Sequence, residues 1–131
     1  MTIHASGTFE VKMNPQKPDD QVGDPSIGRM SLEKQFSGDL VGSSKGQMLA
    51  VQGTVAGSAA YVAIERFNGS LHGHSGSFAL QHNGIMTRGA PQLIVTVVPD
   101  SGTGELATIA GTMTIDAASE KHLYTLDYTL D

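Results

Sequence analysis

The sequence predicts an all-β protein: a closed antiparallel up-and-down β-barrel of about eight strands, with little or no helix. Three observations predict it. Short runs of alternating polar and apolar residues recur along the chain, separated by glycine-rich turns. No stretch of eleven or more residues carries apolar positions at helical spacing between capping residues. Glycine is abundant, 16 of 131 residues against a usual ~7%, while charged residues make up 16% against ~25%. Such a chain turns often and packs closely. A meander of this length has two open edges, and closure removes them, so a barrel is favoured over a two-sheet sandwich.

The strands read in order. Ile3 to Met13 places Phe9 and Val11 on one face and Thr8, Glu10 and Lys12 on the other. "NPQKPDDQVGDPSIG", Asn14 to Gly28, follows as a loop of unusual length for a small domain, which marks it as functional or mobile. Arg29 to Val41 alternates well, with Met30, Leu32, Phe36 and Leu40 against Arg29, Ser31, Glu33, Gln35, Ser37 and Asp39. Lys45 to Val55 is a third strand and Ala59 to Phe67 a fourth. Leu71 to His82 is a fifth, bent at Gly73 and Gly76. Gln92 to Val98 is the sixth and the most apolar. Pro99 to Gly111 is a structured loop with room for one helical turn. Thr112 to Ala117 and His122 to Leu130 complete the sheet. Residues 1–131 form a single domain, long enough to bury one core without staples.

Composition excludes several functions. There is no cysteine, hence no disulfide, no thiolate nucleophile and no Cys-based zinc site. A reducing, cytoplasmic setting is consistent with that. No apolar run approaches the ~18 residues of a membrane-spanning helix, and "MTIHASGTFEVK" does not read as a signal peptide. The formal net charge of -5 lacks the basic footprint that nucleic acid requires. Neither nucleic acid nor membrane is an expected partner.

The histidines are the most chemical feature. His72, His74 and His82 lie within eleven residues and share strand parity with Phe78 and Leu80. His-x-His on a strand can hold a metal. However, His72 and His82 would stand roughly 33 Å apart on a straight strand, and no third ligand follows the pair. No metal and no cofactor are therefore expected, and His72 and His74 read as residues near a turn on a partly solvated face. His82 reads as inward, either hydrogen-bonded in the core or acting as an acid/base near neutral pH.

"YVAIERFNGSLHGHSGSFALQHNG", "VVPDSGTGELATIAGTMTI" and the terminal "YTLDYTL", together with "HASGTFEVK", resemble the bacterial family known as domain of unknown function 3224, DUF3224, over nearly the whole chain. The resemblance implies a closed antiparallel barrel similar in shape to allene oxide cyclase. It implies no activity, because one fold hosts many functions. Family-like positions include Glu65, Arg66, Phe78, Gln81, His82, Glu105, Tyr124 and Tyr128. His74 stands where the family usually has Arg, which sets the His-x-His pair apart from the family pattern.

Four further constellations bear on function. Glu65 and Arg66 are adjacent, so one of them faces inward. A carboxylate inside an apolar barrel is a candidate acid/base, or else pairs with a basic side chain on a neighbouring strand. "SGTGEL", Ser101 to Leu106, lacks the Lys-Ser/Thr ending of a phosphate loop; its glycines read as turn residues, with Glu105 able to reach over a barrel mouth. "GHSGS" is not a nucleophile elbow. Tyr124 and Tyr128 share a face of the last strand and either contact a ligand or close the core.

The reading that results is a small cytoplasmic barrel that binds a small, partly apolar molecule inside, and that forms a homo-oligomer. Gln81, Phe78, Glu105, Tyr124 and Tyr128 are the candidate ligand-binding residues. The alternative is an enzyme, an isomerase, cyclase or hydrolase, with Glu65 or His82 as the catalytic acid/base. A third possibility is a filled barrel whose role is assembly.

Overall fold

A computed structural model describes residues 1–17, 23–117 and 121–131. The described residues form nine strands and no helix. They are β1 (Ile3–Pro15), β2 (Gly28–Gly38), β3 (Leu40–Gln52), β4 (Ala59–Leu71), β5 (His74–Thr87), β6 (Ala90–Val97), β7 (Thr103–Gly104), β8 (Ala110–Asp116) and β9 (His122–Thr129). Each barrel strand is antiparallel to both neighbours. β1 pairs with β9, β4 with β5 and β6 with β8, so the ring β1-β2-β3-β4-β5-β6-β8-β9 closes on itself. β7 is two residues long and pairs with the start of β5 at Gly76 and Ser77.

Alternation decides what faces in. Phe9, Leu32, Phe36, Phe67, Phe78, Leu80, Val95, Val97, Met113, Tyr124 and Leu126 are buried, while their strand neighbours mostly face out. The deepest packing lies at one end. There Leu40, Leu71 and Leu106 are completely buried, and Leu106 is supplied by the segment after β6. Hydrogen bonds hold that segment to β5: Ala79 N donates to Ser101 Oγ, Ser77 N to Thr103 Oγ1, and Glu105 N to Ser75 O. This is the closed end. The expected helical turn in the segment is a hydrogen-bonded turn with a short strand instead.

Two reversals fall inside stretches read from the sequence as single strands. Arg29 to Val41 is not one strand: the chain reverses at Gly38–Asp39, and Leu40 already belongs to β3. Gly38 has φ +104, and a Cβ there would lie 2.7 Å from Ser6 O and Gly7 Cα. Only glycine allows that approach. Tyr124 Oη fastens the corner, accepting from Leu40 N at 2.8 Å and donating to Ser37 O at 3.0 Å. Likewise, Leu71 to His82 is divided. Leu71 pairs directly with His74, and His72 (φ 48) and Gly73 (φ 82) form the two-residue turn between them. Two left-handed residues match the twist of a hairpin. Part of the expected loop between Asn14 and Gly28, residues 18–22, lies outside the described residues.

Candidate functional site

Midway along the barrel, four polar side chains from four consecutive strands point inward. They are Lys34 on β2, Ser44 on β3, Glu65 on β4 and His82 on β5. Register brings them together. Lys34 is paired with Ser44, Glu65 with Gly46 and Leu80, and His82 with Ala63. Gly46 is required beside Glu65: a Cβ there would sit 2.6 Å from Glu65 Cα and 2.8 Å from Glu65 Cβ.

Glu65 is the hub. Lys34 Nζ donates to Oε2 at 2.7 Å, His82 Nε2 lies 2.6 Å from the same oxygen, and Ser44 Oγ donates to Oε1 at 2.8 Å. All are shielded from water, with Glu65 1%, His82 3% and Lys34 6% exposed. Burial pushes the Glu65 carboxyl up. The His82 hydrogen bond and the Lys34 and His82 charges outweigh it and hold the group at about 2. Lys34 Nζ also lies 4.7 Å from the centre of the Phe9 ring, a cation–π contact on its apolar side.

An ionised Glu65 can only accept, so His82 donates to it through Nε2–H. Neutral His82 then carries its lone pair on Nδ1. Among the described residues every fully buried polar side-chain atom has a hydrogen-bond partner. His82 Nδ1 has no partner among the described residues and is therefore not fully buried. The other end of the barrel is open, and inward-facing residues become exposed there. Met13, Met86 and Leu93 are exposed there, and Met30, Met48 and Tyr61 half-buried. Four of the chain's six methionines thus ring this mouth, with Met30 directly opposite Met48. The Tyr61 ring lies over Gly84, where a Cβ would meet it at 2.3 Å, and its centre is 6.3 Å from that of His82. Burial and the Glu65 charge push the Tyr61 phenol up.

Two grooves of about 580 and about 220 Å³ lie on the outer face of β1–β3, lined by residues such as Arg29 and Lys45, and Glu10 and Lys12. Neither is lined by Glu65 or His82.

Of the residues singled out from sequence, Glu65 and His82 meet. Glu65 faces inward and pairs with a basic side chain on a neighbouring strand, and its carboxyl is held low rather than raised as burial alone would do. The others do not join them. Gln81 is exposed on the outer face, because it has the opposite parity to His82, which corrects its expected place in the interior. Phe78 is wholly buried toward the closed end. Tyr124 is there too, its hydroxyl committed to the β2–β3 corner. Tyr128 is bonded to His72. Glu105 is exposed over the closed end, not the mouth, accepting from Ser75 N at 3.0 Å beside His74; the Ser75 amide, then His74, holds its carboxyl low. His72 lies in the β4–β5 hairpin turn and His74 directly follows it, near a turn as read from sequence. Among the described residues no group of three or more His, Asp or Glu side chains is placed to hold a metal ion.

Lys34 and Ser44 were missed. The signal for Lys34 was present: it lies between Leu32 and Phe36 on the apolar face of its strand. Ser44 carried no signal, since its strand reads as polar on both faces at that point.

No helix among the described residues is long and apolar enough to cross a membrane. No curated protein matches the chain. A crystal structure from Shewanella oneidensis MR-1, of a protein with unknown function from the DUF3224 family, is 41% identical. The match covers 100% of this chain and 99% of that one, with a TM-score of 0.91. The family model described as "Protein of unknown function (DUF3224)" matches residues 5–128. The closed barrel, its inward Glu65–His82 pair and these likenesses belong together: the chain is a member of the DUF3224 family.

Proposed function

We propose that this barrel is a cytoplasmic binding module that takes a small, partly apolar molecule through its open end. One observation carries the reading: His82 Nδ1 has no partner among the described residues and is not fully buried, inside a barrel whose open end is lined by Met30, Met48 and Tyr61. Ligand sites combine apolar walls with a few fixed polar groups, and methionine side chains adapt to varied shapes. Glu65 orients the imidazole; Lys34 and Tyr61 add polar atoms nearby. The test is native mass spectrometry of protein purified from its host without tag or chelator, with ¹³C-methionine methyl spectra recorded alongside. A co-purifying small molecule whose removal shifts the Met30 and Met48 methyl signals is the expected result. A clean mass, with methyl signals that no apolar probe displaces, would overturn the reading.

A second reading is supported by the Glu65–His82 pair. A carboxylate that fixes the tautomer of an imidazole and leaves Nδ1 without a protein partner among the described residues is an arrangement suited to general acid/base catalysis. Turnover that survives unchanged in His82→Gln would remove it.

The barrel wall supports self-association. Leu49, Val62 and Ile94 lie in one outward row across β3, β4 and β6, flanked by Val51, Ile85 and Ile64, the last 60% exposed. The intervening outward positions include Asn83, Gln47 and Gln81, without a charge. An uncharged apolar face of this extent is suited to a second copy of itself.

A further inference from the structure

We infer that the open end is a site of reversible methionine oxidation, at which a peroxide turns an apolar rim into a polar one and so shuts out an apolar molecule. The oxidation stands on exposure and chemistry alone. Its effect on binding rests on the binding reading above.

The chain sorts its sulfur by position. It has no cysteine, so six methionine thioethers are its only sulfur and its most readily oxidised side chains. Met113 is packed in the core at 3% exposure, and Met1 is fully exposed at the N-terminus. The other four face inward at the open end. Met13 and Met86 are 52% and 42% exposed there, and Met30 and Met48 are half-buried.

Strand pairing joins these four in one arc. Met30 is directly opposite Met48. Met13 is opposite Leu32 and therefore diagonal to Met30. Tyr61, opposite Ala50 and Gly84, is diagonal to Met48 on one side and to Met86 on the other. Direct and diagonal neighbours on one face of a sheet lie within reach of long and aromatic side chains. Five consecutive strands thus contribute four thioethers and one phenol ring to the same part of the rim, where water and small oxidants have access.

Each oxidation is a two-electron oxygen transfer. The thioether sulfur attacks one peroxide oxygen, so an S–O bond forms as the O–O bond breaks. The proton on the transferred oxygen passes to the leaving oxygen. Sulfur becomes the sulfoxide, and the peroxide is reduced to water, or to an alcohol if it is an alkyl hydroperoxide. A methionine sulfoxide reductase reverses the step with a dithiol, which becomes a disulfide while the oxygen leaves as water.

The consequence follows from polarity. A sulfoxide puts a polar acceptor where a flexible apolar group stood. At Met30 and Met48 an apolar guest would cover that oxygen and leave it without a partner, and burying an unpaired polar group is costly. Leucine at the same positions would make an equally apolar rim that peroxide could not switch.

The experiment exposes the full chain to hydrogen peroxide and follows three readouts. These are peptide mass mapping, ¹³C-methionine methyl spectra, and the fluorescence of N-phenyl-1-naphthylamine, a neutral apolar probe. Met13 and Met86 should gain oxygen before Met30 and Met48, with Met113 unmodified while the core is intact. Probe affinity should fall at least about tenfold, roughly 1.4 kcal/mol. It should return after treatment with methionine sulfoxide reductases of both stereospecificities. The combined variant Met13→Leu, Met30→Leu, Met48→Leu and Met86→Leu keeps Met1 and should bind the probe equally before and after peroxide. The reductase rescue of the unmodified chain stands even if that variant folds poorly. If the unoxidised chain binds the probe but its oxidised rim binds it unchanged, or Met113 oxidises as fast as the rim, the inference is overturned and the open-end site is left intact. Unoxidised protein that neither binds the probe nor shifts its Met30 and Met48 methyl signals would overturn both.

Discussion

Lys34 Nζ and His82 Nε2 converge on the same oxygen, Oε2 of Glu65, at 2.7 and 2.6 Å. The two residues are 48 apart in sequence and lie on β2 and β5, yet a single buried carboxylate joins them. Every prediction about the interior follows from that junction.

Lys34→Met should be strongly destabilising, by roughly 3–5 kcal/mol, because it strands the buried Glu65 charge without its ammonium partner. Urea unfolding measures it. A loss below about 1 kcal/mol would show that the ion pair does not hold the interior together.

Acid should weaken the fold within a defined window. The Glu65 carboxyl titrates near 2 in the folded chain and near 4.5 when free. A lowered value means that the stabilisation is complete above about 4.5 and is lost as the pH falls toward 2. The contribution is on the order of 3 kcal/mol. Unfolding midpoints measured across that range should fall for the native chain and stay flatter for Glu65→Gln. Parallel curves would place the acid sensitivity elsewhere.

Glu65→Gln should also change the ¹⁵N NMR signals of the His82 ring, since the carboxylate that accepts from its Nε2–H is replaced by an amide. The rings of His72 and His74, at the far hairpin, serve as internal controls. Unchanged His82 signals would separate the two groups despite their contact.

Gly46→Ala should cost roughly 1–3 kcal/mol through overpacking. The added methyl would lie 2.1 Å from Ile64 O as well as against the Glu65 Cβ, so the β3–β4 ladder must spread. Thermal melts provide the comparison. A neutral result would mean that the strands part easily at the level of Glu65.

Val62→Lys places a charge in the middle of the outward apolar row and should shift the chain toward smaller species in light-scattering chromatography, with unfolding of the monomer changed little. A native protein that already runs as a monomer would remove the self-association proposal.

Much of the architecture was legible in the chain. Alternation over Ile3 to Met13, Ala59 to Phe67 and Gln92 to Val98 reflects a wall with one packed face, and parity alone placed His82 beside Phe78 and Leu80. Two hairpins were not legible as turns. The two-residue reversal at His72–Gly73 shifts the inward positions from odd-numbered on β4 to even-numbered on β5, but Leu71 alone stands before it in the stretch read as a strand, so the shift did not show. At Gly38–Asp39 the inward positions are even-numbered on both sides, so that reversal preserves the alternation, and the close approach of Gly7 that demands a glycine there comes from a different strand.

The sequence by itself determined that this protein is an all-β barrel of the DUF3224 kind, that His82 faces inward and that one of the adjacent Glu65 and Arg66 does, because period-two burial is a local property of each strand. Only the tertiary structure decided that the two meet, that Lys34 and Ser44 complete the cluster, and that Gln81, Glu105, Tyr124 and Tyr128 lie apart from it. Register between strands and the closure of the ring set those distances, and both depend on residues far apart in the chain.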